Sequence, residues 1–268
     1  MKNLSHQAAF SSLGVLTQGL SRFAYSIIVG RALGIEALAA VNSALALTMV
    51  VVLLWPTGLG NTAAQALATA QAQGRGIAKV LQTVKRSFFV SAPFIVMIAI
   101  VFEFAGTPNS WPFALSVVLL ALSYSGYLVM RSMQMALGGA SRAALWDTIT
   151  GVASITGLVV VLVLGMPQWV LLPMALSFVA FAVQAVWFVE EALGGHGSRA
   201  DFVQADFLRA TGWNSASLIA ANGIVQLAMI AVYMGASPGI AGISPQRCRW
   251  QRHLQCLPKQ FLRRSYRG

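Results

Sequence analysis

An all-α fold is predicted: a polytopic membrane helix bundle of about seven transmembrane helices. Three observations carry the prediction. Of the 268 residues, 57% are hydrophobic and only 9% are charged, against roughly 25% charged in soluble domains. The apolar residues gather into runs of the roughly 20 residues that a spanning helix needs. The connections between runs alternate between basic and base-free, as in a chain that crosses a membrane repeatedly.

The runs fall at Leu13–Leu33, Ala37–Gly58, Ser87–Phe104, Pro112–Met130, Thr148–Gly165, Val170–Val189 and Thr211–Met234. The connections after the third and fifth, "AGTPNSW" and "GMPQW", are short and hold no Lys or Arg. The second, fourth and sixth connections hold Arg75, Lys79, Lys85 and Arg86, then Arg131 and Arg142, then Arg199 and Arg209. With Lys2, one side holds nine basic residues and the other only Arg31. This bias places the N-terminus in the cytoplasm and the end of the seventh helix outside. The expected location is the inner or plasma membrane. The N-terminal segment has one Lys and a span interrupted by Arg22, and reads as a retained first helix.

Two basic connections contain amphipathic pieces. Ile77, Val80, Leu81 and Val84 share a face in "GIAKVLQTVKRS", as do Phe202, Val203, Phe207 and Leu208 in "SRADFVQADFLRA". Such pieces suit the membrane surface or a solvated elbow. Gly30 and Gly34 form a GxxxG, which permits close helix contact.

The net charge of +11 is unevenly spread. Residues 1–243 hold 11 basic residues against all 7 acidic ones. The last 25 residues hold the other 7 basic residues, no acid, and both Cys248 and Cys256. The modest excess in the body fits loops facing anionic lipid, and no nucleic-acid partner is expected. A body without cysteine has neither a disulfide framework nor a thiolate metal site. The segment 244–268 lacks helical or strand periodicity and reads as a disordered basic tail. One reading is a coding frame lost near Gly242 to Pro245, making the chain a truncated product; the other is a native tail on lipid headgroups.

No enzyme signature is present: no phosphate loop, no HExxH and no GxSxG. His6, His196 and His253 are scattered. The expectation is a non-enzyme without cofactor or metal. What remains is polar side chains inside apolar helices, which usually face a bundle interior or a wet cavity. Gln18, Arg22 and Tyr25 lie at i, i+4 and i+7 and share a face of the first helix. Asn42 opens the second helix, Gln184 lies in the sixth, and Asn222 and Gln226 lie at i, i+4 in the seventh. Each of these four serves interhelical hydrogen bonding as readily as ligand contact. Arg31 beside Glu36 reads as an interfacial anchor, and Glu103 as interfacial. Arg131 and Asp147 read as end-of-helix groups, and Tyr124 and Tyr127 as packing or belt residues. Arg22 is the exception. It lies about nine residues from either end of its span, roughly 13 Å at 1.5 Å per residue. A charge at a helix centre costs roughly 2.5–3.5 kcal/mol, so Arg22 reads as lining a polar cavity. Its guanidinium fork matches a phosphate, and the expected ligand is anionic and phosphorylated.

Three stretches carry a family resemblance. "GRALGIEALAAVNSALAL", with Arg31, Leu33, Gly34 and Glu36, is similar to the junction of helices one and two in the polysaccharide and oligosaccharide flippases, the Wzx-type exporters. Ala39 stands where the family usually has Gly, and Ile35 where it often has Pro. "PTGLGNTAAQALA" resembles that family's end of helix two, and "MRSMQMALGGASRAALWD" its loop after helix four. The resemblance covers residues 1 to about 240. It implies two six-helix lobes in a V around a cationic cavity that opens alternately to each side. Residues 1–210 would be the N-terminal lobe and 211–243 the first helix of an incomplete second lobe, which leaves the activity of the chain itself open. The implied cargo is a polyprenyl-diphosphate-linked oligosaccharide, with membrane lipids and a polysaccharide polymerase or glycosyltransferases as partners. Arg22 would bind the diphosphate and Gln18 and Tyr25 would line the same face, with Asn42, Asn222 and Gln226 as weaker candidates. The helix-one-to-two junction also resembles cation-coupled multidrug exporters of the same superfamily. Those often carry acidic residues inside the first half, and the centres of these spans have none, which favours the flippase. A third reading is a membrane structural or assembly protein without cargo, in which Arg22→Ala would affect stability alone.

Overall fold

The computed structural model describes residues 2–72, 78–105, 110–193 and 204–223. Among them the chain is helical and forms no strand. The helices are α1 (Lys2–Leu33), α2 (Ile35–Leu54), α3 (Pro56–Ala72), α4 (Ala78–Ala105), α5 (Trp111–Ala136), α6 (Ala140–Val163), α7 (Leu172–Leu193) and α8 (Gln204–Leu218). A 3₁₀ turn, Pro167–Trp169, precedes α7, and a π-helical turn, Ile219–Gly223, follows α8.

Five segments are long and apolar enough to cross a membrane: Ile35–Leu54, Lys79–Glu103, Trp111–Ala136, Ala140–Val163 and Pro167–Ala192. The chain is a multi-pass membrane bundle. Its outer surface says the same. Leu16, Leu20, Phe23 and Ile27 of α1, Phe89, Val90, Phe94, Met97 and Val101 of α4, and Ile149, Val152, Val159 and Val163 of α6 are all exposed. Water does not tolerate contiguous apolar faces of that extent; lipid does. Helix α1 is long enough to span, but Gln18, Ser21 and Arg22 on its inward side keep it less apolar than the other five.

Helix α5 is the hub, packed against α7, α3 and α4, while α1 lies along α6 and α6 along α7. The core is built on Val117, Leu120, Met133, Leu158, Leu171 and Phe181. Hydroxyls inside the bundle donate back to their own helix: Thr48 to Ala44, Ser125 to Ala121, and Ser177 to Pro173. In lipid each polar group needs an internal partner, and the carbonyl one turn earlier is the nearest.

The second expected span, Ala37–Gly58, is not one helix. It breaks at Trp55, where the backbone leaves helical geometry (φ −144°, ψ −48°). Pro56 lacks the N–H that would continue α2 and instead starts α3, where that donor is not needed. The "PTGLGNTAAQALA" stretch therefore belongs to a separate helix wedged between α5 and α8. Its small residues make the wedge possible. A Cβ on Gly60 would lie 3.2 Å from the Val129 Cα of α5, and one on Gly58 2.8 Å from the Ser215 N and the Thr211 O of α8.

Helix ends also differ from the apolar runs. Val80, Leu81 and Val84 are buried in the first turns of α4, so the amphipathic piece there is the start of a spanning helix; Ile77 lies outside the described residues. Phe207 is likewise buried within α8, with Phe202 and Val203 outside the described residues. Gly34 has φ +88° and closes α1. Its GxxxG partner Gly30 approaches Leu38, whereas nothing lies within 4 Å of a Cβ on Gly34. Gly34 thus serves the bend between α1 and α2 rather than a packing face. At the end of α5, Gly138 has φ +82°. Its N–H reaches the Met135 carbonyl and that of Gly139 the Gln134 carbonyl, a Schellman closure that L side chains disfavour at that position.

Candidate functional site

Helix α1 has an apolar outer stripe and a polar inner one. Gln18 and Ser21 are each 9% exposed, Tyr25 is fully buried and Arg22 is half-buried. The four face α6 and α7 because lipid takes the opposite side of the helix, and i, i+3, i+4 and i+7 share a face.

The Arg22 guanidinium carbon sits 4.5 Å from the ring centre of Tyr124 and 5.9 Å from that of Phe178. Aromatic faces attract a cation, more strongly when water is excluded. Nη1 lies 3.7 Å from Met49 Sδ, a weak acceptor. Nε is buried without a hydrogen-bond partner among the described residues. Beside it lies a cavity of about 10 Å³, lined by Gln18, Ser21, Thr150, Ser154, Ser177 and Phe178 among others, room for about one water. Ser21, Thr150, Ser154 and Ser177 each donate to a carbonyl of their own helix. Arg22 Nε is thus a buried donor without an acceptor among the described residues, and the guanidinium rests against two aromatic rings.

The aromatic floor continues inward. Tyr124 and Tyr127 stack at 5.6 Å with 16° between planes, and Tyr127 meets Phe181 edge-on at 4.6 Å. The Tyr127 hydroxyl donates to Asp147 Oδ1 at 2.7 Å. Arg131 Nε donates to Asp147 Oδ2 at 3.0 Å, and Arg131 Nη2 to the Ser11 carbonyl at 3.4 Å. Gln18 Nε2 donates to the Asp147 backbone carbonyl at 3.2 Å. Asp147 is fully buried. A polar thread thus runs from Arg22, across two tyrosines, to an ion pair that joins α1, α5 and α6.

The sequence placed Arg131 and Asp147 at helix ends, and here the reading is corrected. Both lie inside helices, because α5 continues to Ala136 and α6 begins at Ala140. The signal was present: Tyr124, Tyr127 and Arg131 lie at i, i+3 and i+7, one face of a helix that runs past its apolar segment. Tyr124 and Tyr127 do pack, as expected.

The other expected site residues scatter. The Tyr25 hydroxyl donates to the Val170 carbonyl, which ties α1 to the turn before α7. Asn42 is exposed and accepts from Ser26 Oγ at 3.2 Å. Asn222 is exposed on the π-helical turn, and Gln226 lies outside the described residues. Gln184 is buried with neither amide atom paired among the described residues. Arg31 and Glu36 are exposed and form no ion pair among the described residues. Glu103 is 8% exposed, deeper than an interfacial position implies. Among the described residues no cluster of His, Cys, Asp or Glu could hold a metal ion.

Comparison of the chain with protein-family models, with curated proteins and with solved structures finds no match.

Proposed function

We propose that the chain is a transporter of the flippase type in the inner or plasma membrane, with the N-terminus cytoplasmic, acting on a polyprenyl-diphosphate-linked oligosaccharide. Arg22 is the residue that meets the diphosphate, and Gln18 flanks it. The carrying observation is the position of Arg22: mid-helix in the apolar body, turned inward onto Tyr124, with a buried Nε that has no partner among the described residues and a polar cavity beside it. A buried donor without an acceptor is costly. A half-buried guanidinium held by ring faces keeps its hydrogen-bonding capacity for a ligand, and a phosphate oxygen supplies the acceptor that its surroundings lack. The cavity holds about one water in this conformation, so headgroup binding requires α1 to part from α6 and α7. The hydrocarbon tail stays in the bilayer, where the exposed apolar stripes already face.

Asp147 favours a second reading, the cation-coupled exporter, because it brings a carboxylate into the bundle. Its ion pair with Arg131 weighs the other way, since the charge is already matched.

The test is flipping in proteoliposomes that hold the purified chain. A fluorescent polyprenyl-diphosphate oligosaccharide is followed by its protection from an impermeant quencher. Arg22→Gln is expected to slow protection by about tenfold or more, the range for losing a hydrogen bond to a charged group. Arg22→Lys should recover part of the rate. An equal rate for Arg22→Gln and wild type removes Arg22 from the site. Proton-dependent efflux of a cationic dye that Asp147→Asn abolishes, without sugar flipping, selects the exporter.

A further inference from the structure

We propose that the groove between α4 and α8 binds one anionic glycerophospholipid of the surrounding bilayer, its phosphate on Arg86 and an acyl chain along Val90 and Phe94. The groove measures about 520 Å³ and is lined by Trp55, by Arg86, Ser87, Val90, Ser91 and Phe94 of α4, and by Gln204 and Leu208 of α8. That volume lies within the roughly 300–1,000 Å³ of pockets that take small molecules.

The lining is ordered along α4. Arg86, Val90 and Phe94 lie at i, i+4 and i+8 and form one stripe. The charge sits at one end, and apolar surface extends about 12 Å from it at 1.5 Å per residue. A polar head with a hydrocarbon chain has that layout. Val90 and Phe94 are 61% and 60% exposed, surface that only lipid or an apolar partner covers favourably.

Electrostatics select the headgroup. Arg86 is exposed and forms no ion pair among the described residues, whereas its neighbour Lys85 is paired with Glu190. Asp206 of α8 is two positions from both Gln204 and Leu208, so it lies on another face of that helix. The mouth of the groove therefore carries a guanidinium with no carboxylate partner among the described residues, and its fork matches phosphate oxygens. Trp55 Nε1 donates to Ser87 Oγ at 3.0 Å. This holds the indole at the charged end, where tryptophans sit in membrane proteins, and leaves the Ser87 hydroxyl proton for a phosphate oxygen. An anionic headgroup neutralises Arg86, whereas a zwitterionic one brings its own ammonium. The site is separate from Arg22 and holds whether or not the chain transports a cargo.

Native mass spectrometry of the purified full chain, titrated with phosphatidylglycerol and phosphatidylcholine, tests the assignment. One phosphatidylglycerol should be retained with about a tenfold preference, and Arg86→Gln should erase it. Val90→Trp fills the groove and keeps the charge, so it should reduce retention of both lipids; far-ultraviolet circular dichroism confirms the fold of each variant. Unchanged retention in both variants overturns the site. Equal retention of the two lipids by wild type overturns the charge assignment. A polyprenyl phosphate titrated in the same way completes the test, and its stronger retention than that of phosphatidylglycerol overturns the phospholipid.

Discussion

Asp147 and Arg131 place a negative and a positive charge inside the bundle, each with more than one partner. Ion pairs of this kind are costly to half-remove. Arg131→Met leaves the Asp147 carboxylate buried without its cationic partner, and should destabilise the chain by about 3–5 kcal/mol. The double variant Arg131→Met, Asp147→Leu should recover most of that loss, because no unpaired charge remains. Thermal unfolding in detergent checks both, and a double variant as unstable as the single one overturns the account. Gln134 is the opposite case. It is fully buried, and neither amide atom has a partner among the described residues. Gln134→Met should therefore be neutral or raise the melting temperature, since it removes an unmet polar group at similar volume. A clear loss of stability in that variant would show that the amide has a partner.

At the scale of elements, α1 is held to α6 by close approach as much as by hydrogen bonds. A Cβ on Gly14 would lie 2.4 Å from Asp147 Oδ2 and 3.0 Å from Arg131 Nη2, so the ion pair presses directly on the α1 backbone. Gly14→Ala should cost about 1–3 kcal/mol by overpacking, and less in an Asp147→Ala background, because neighbouring sites couple. Gly19 of the same helix is exposed, with nothing within 4 Å of a Cβ. Gly19→Ala should instead gain up to about 1 kcal/mol of helix propensity. Chemical unfolding of the two variants separates packing from propensity, and equal costs at the two glycines would refute the contact. These contacts were invisible in the sequence for a physical reason. Apolar runs mark the part of a helix inside hydrocarbon, not where its hydrogen bonds stop. Arg131 and Asp147 lie just past or before such runs, so each looked terminal. The break at Trp55 was legible in principle, since Pro56 cannot continue α2, but the surrounding apolar residues masked it.

For the whole molecule, the membrane-bundle class was legible from charge scarcity and run length, and the described helices agree with it. The inward direction of Gln18, Arg22 and Tyr25 was legible too, because their spacing puts them on one face and lipid claims the other. Partner identity was not: spacing says which face a residue occupies, not which ring or carboxylate meets it there. The pairing of Tyr25 with Val170 depends on how α1 and α7 stack. The orientation proposed from the distribution of basic residues can be tested on one helix. Helix α6 begins at Ala140, carries Arg142 in its first turn, and ends at Val163, before the base-free "GMPQW". Ser141 and Leu164 are exposed at its two ends. Residues 1–243 have no cysteine, so replacing Cys248 and Cys256 by Ser leaves a background for single labels. With 24 residues, α6 extends about 36 Å, enough to cross a hydrocarbon core of about 30 Å. An impermeant thiol reagent added to intact cells should label Leu164→Cys and spare Ser141→Cys. In inside-out vesicles the pattern should reverse. Labelling of Ser141→Cys in intact cells would invert the topology and move Arg86 and its phospholipid to the outer leaflet.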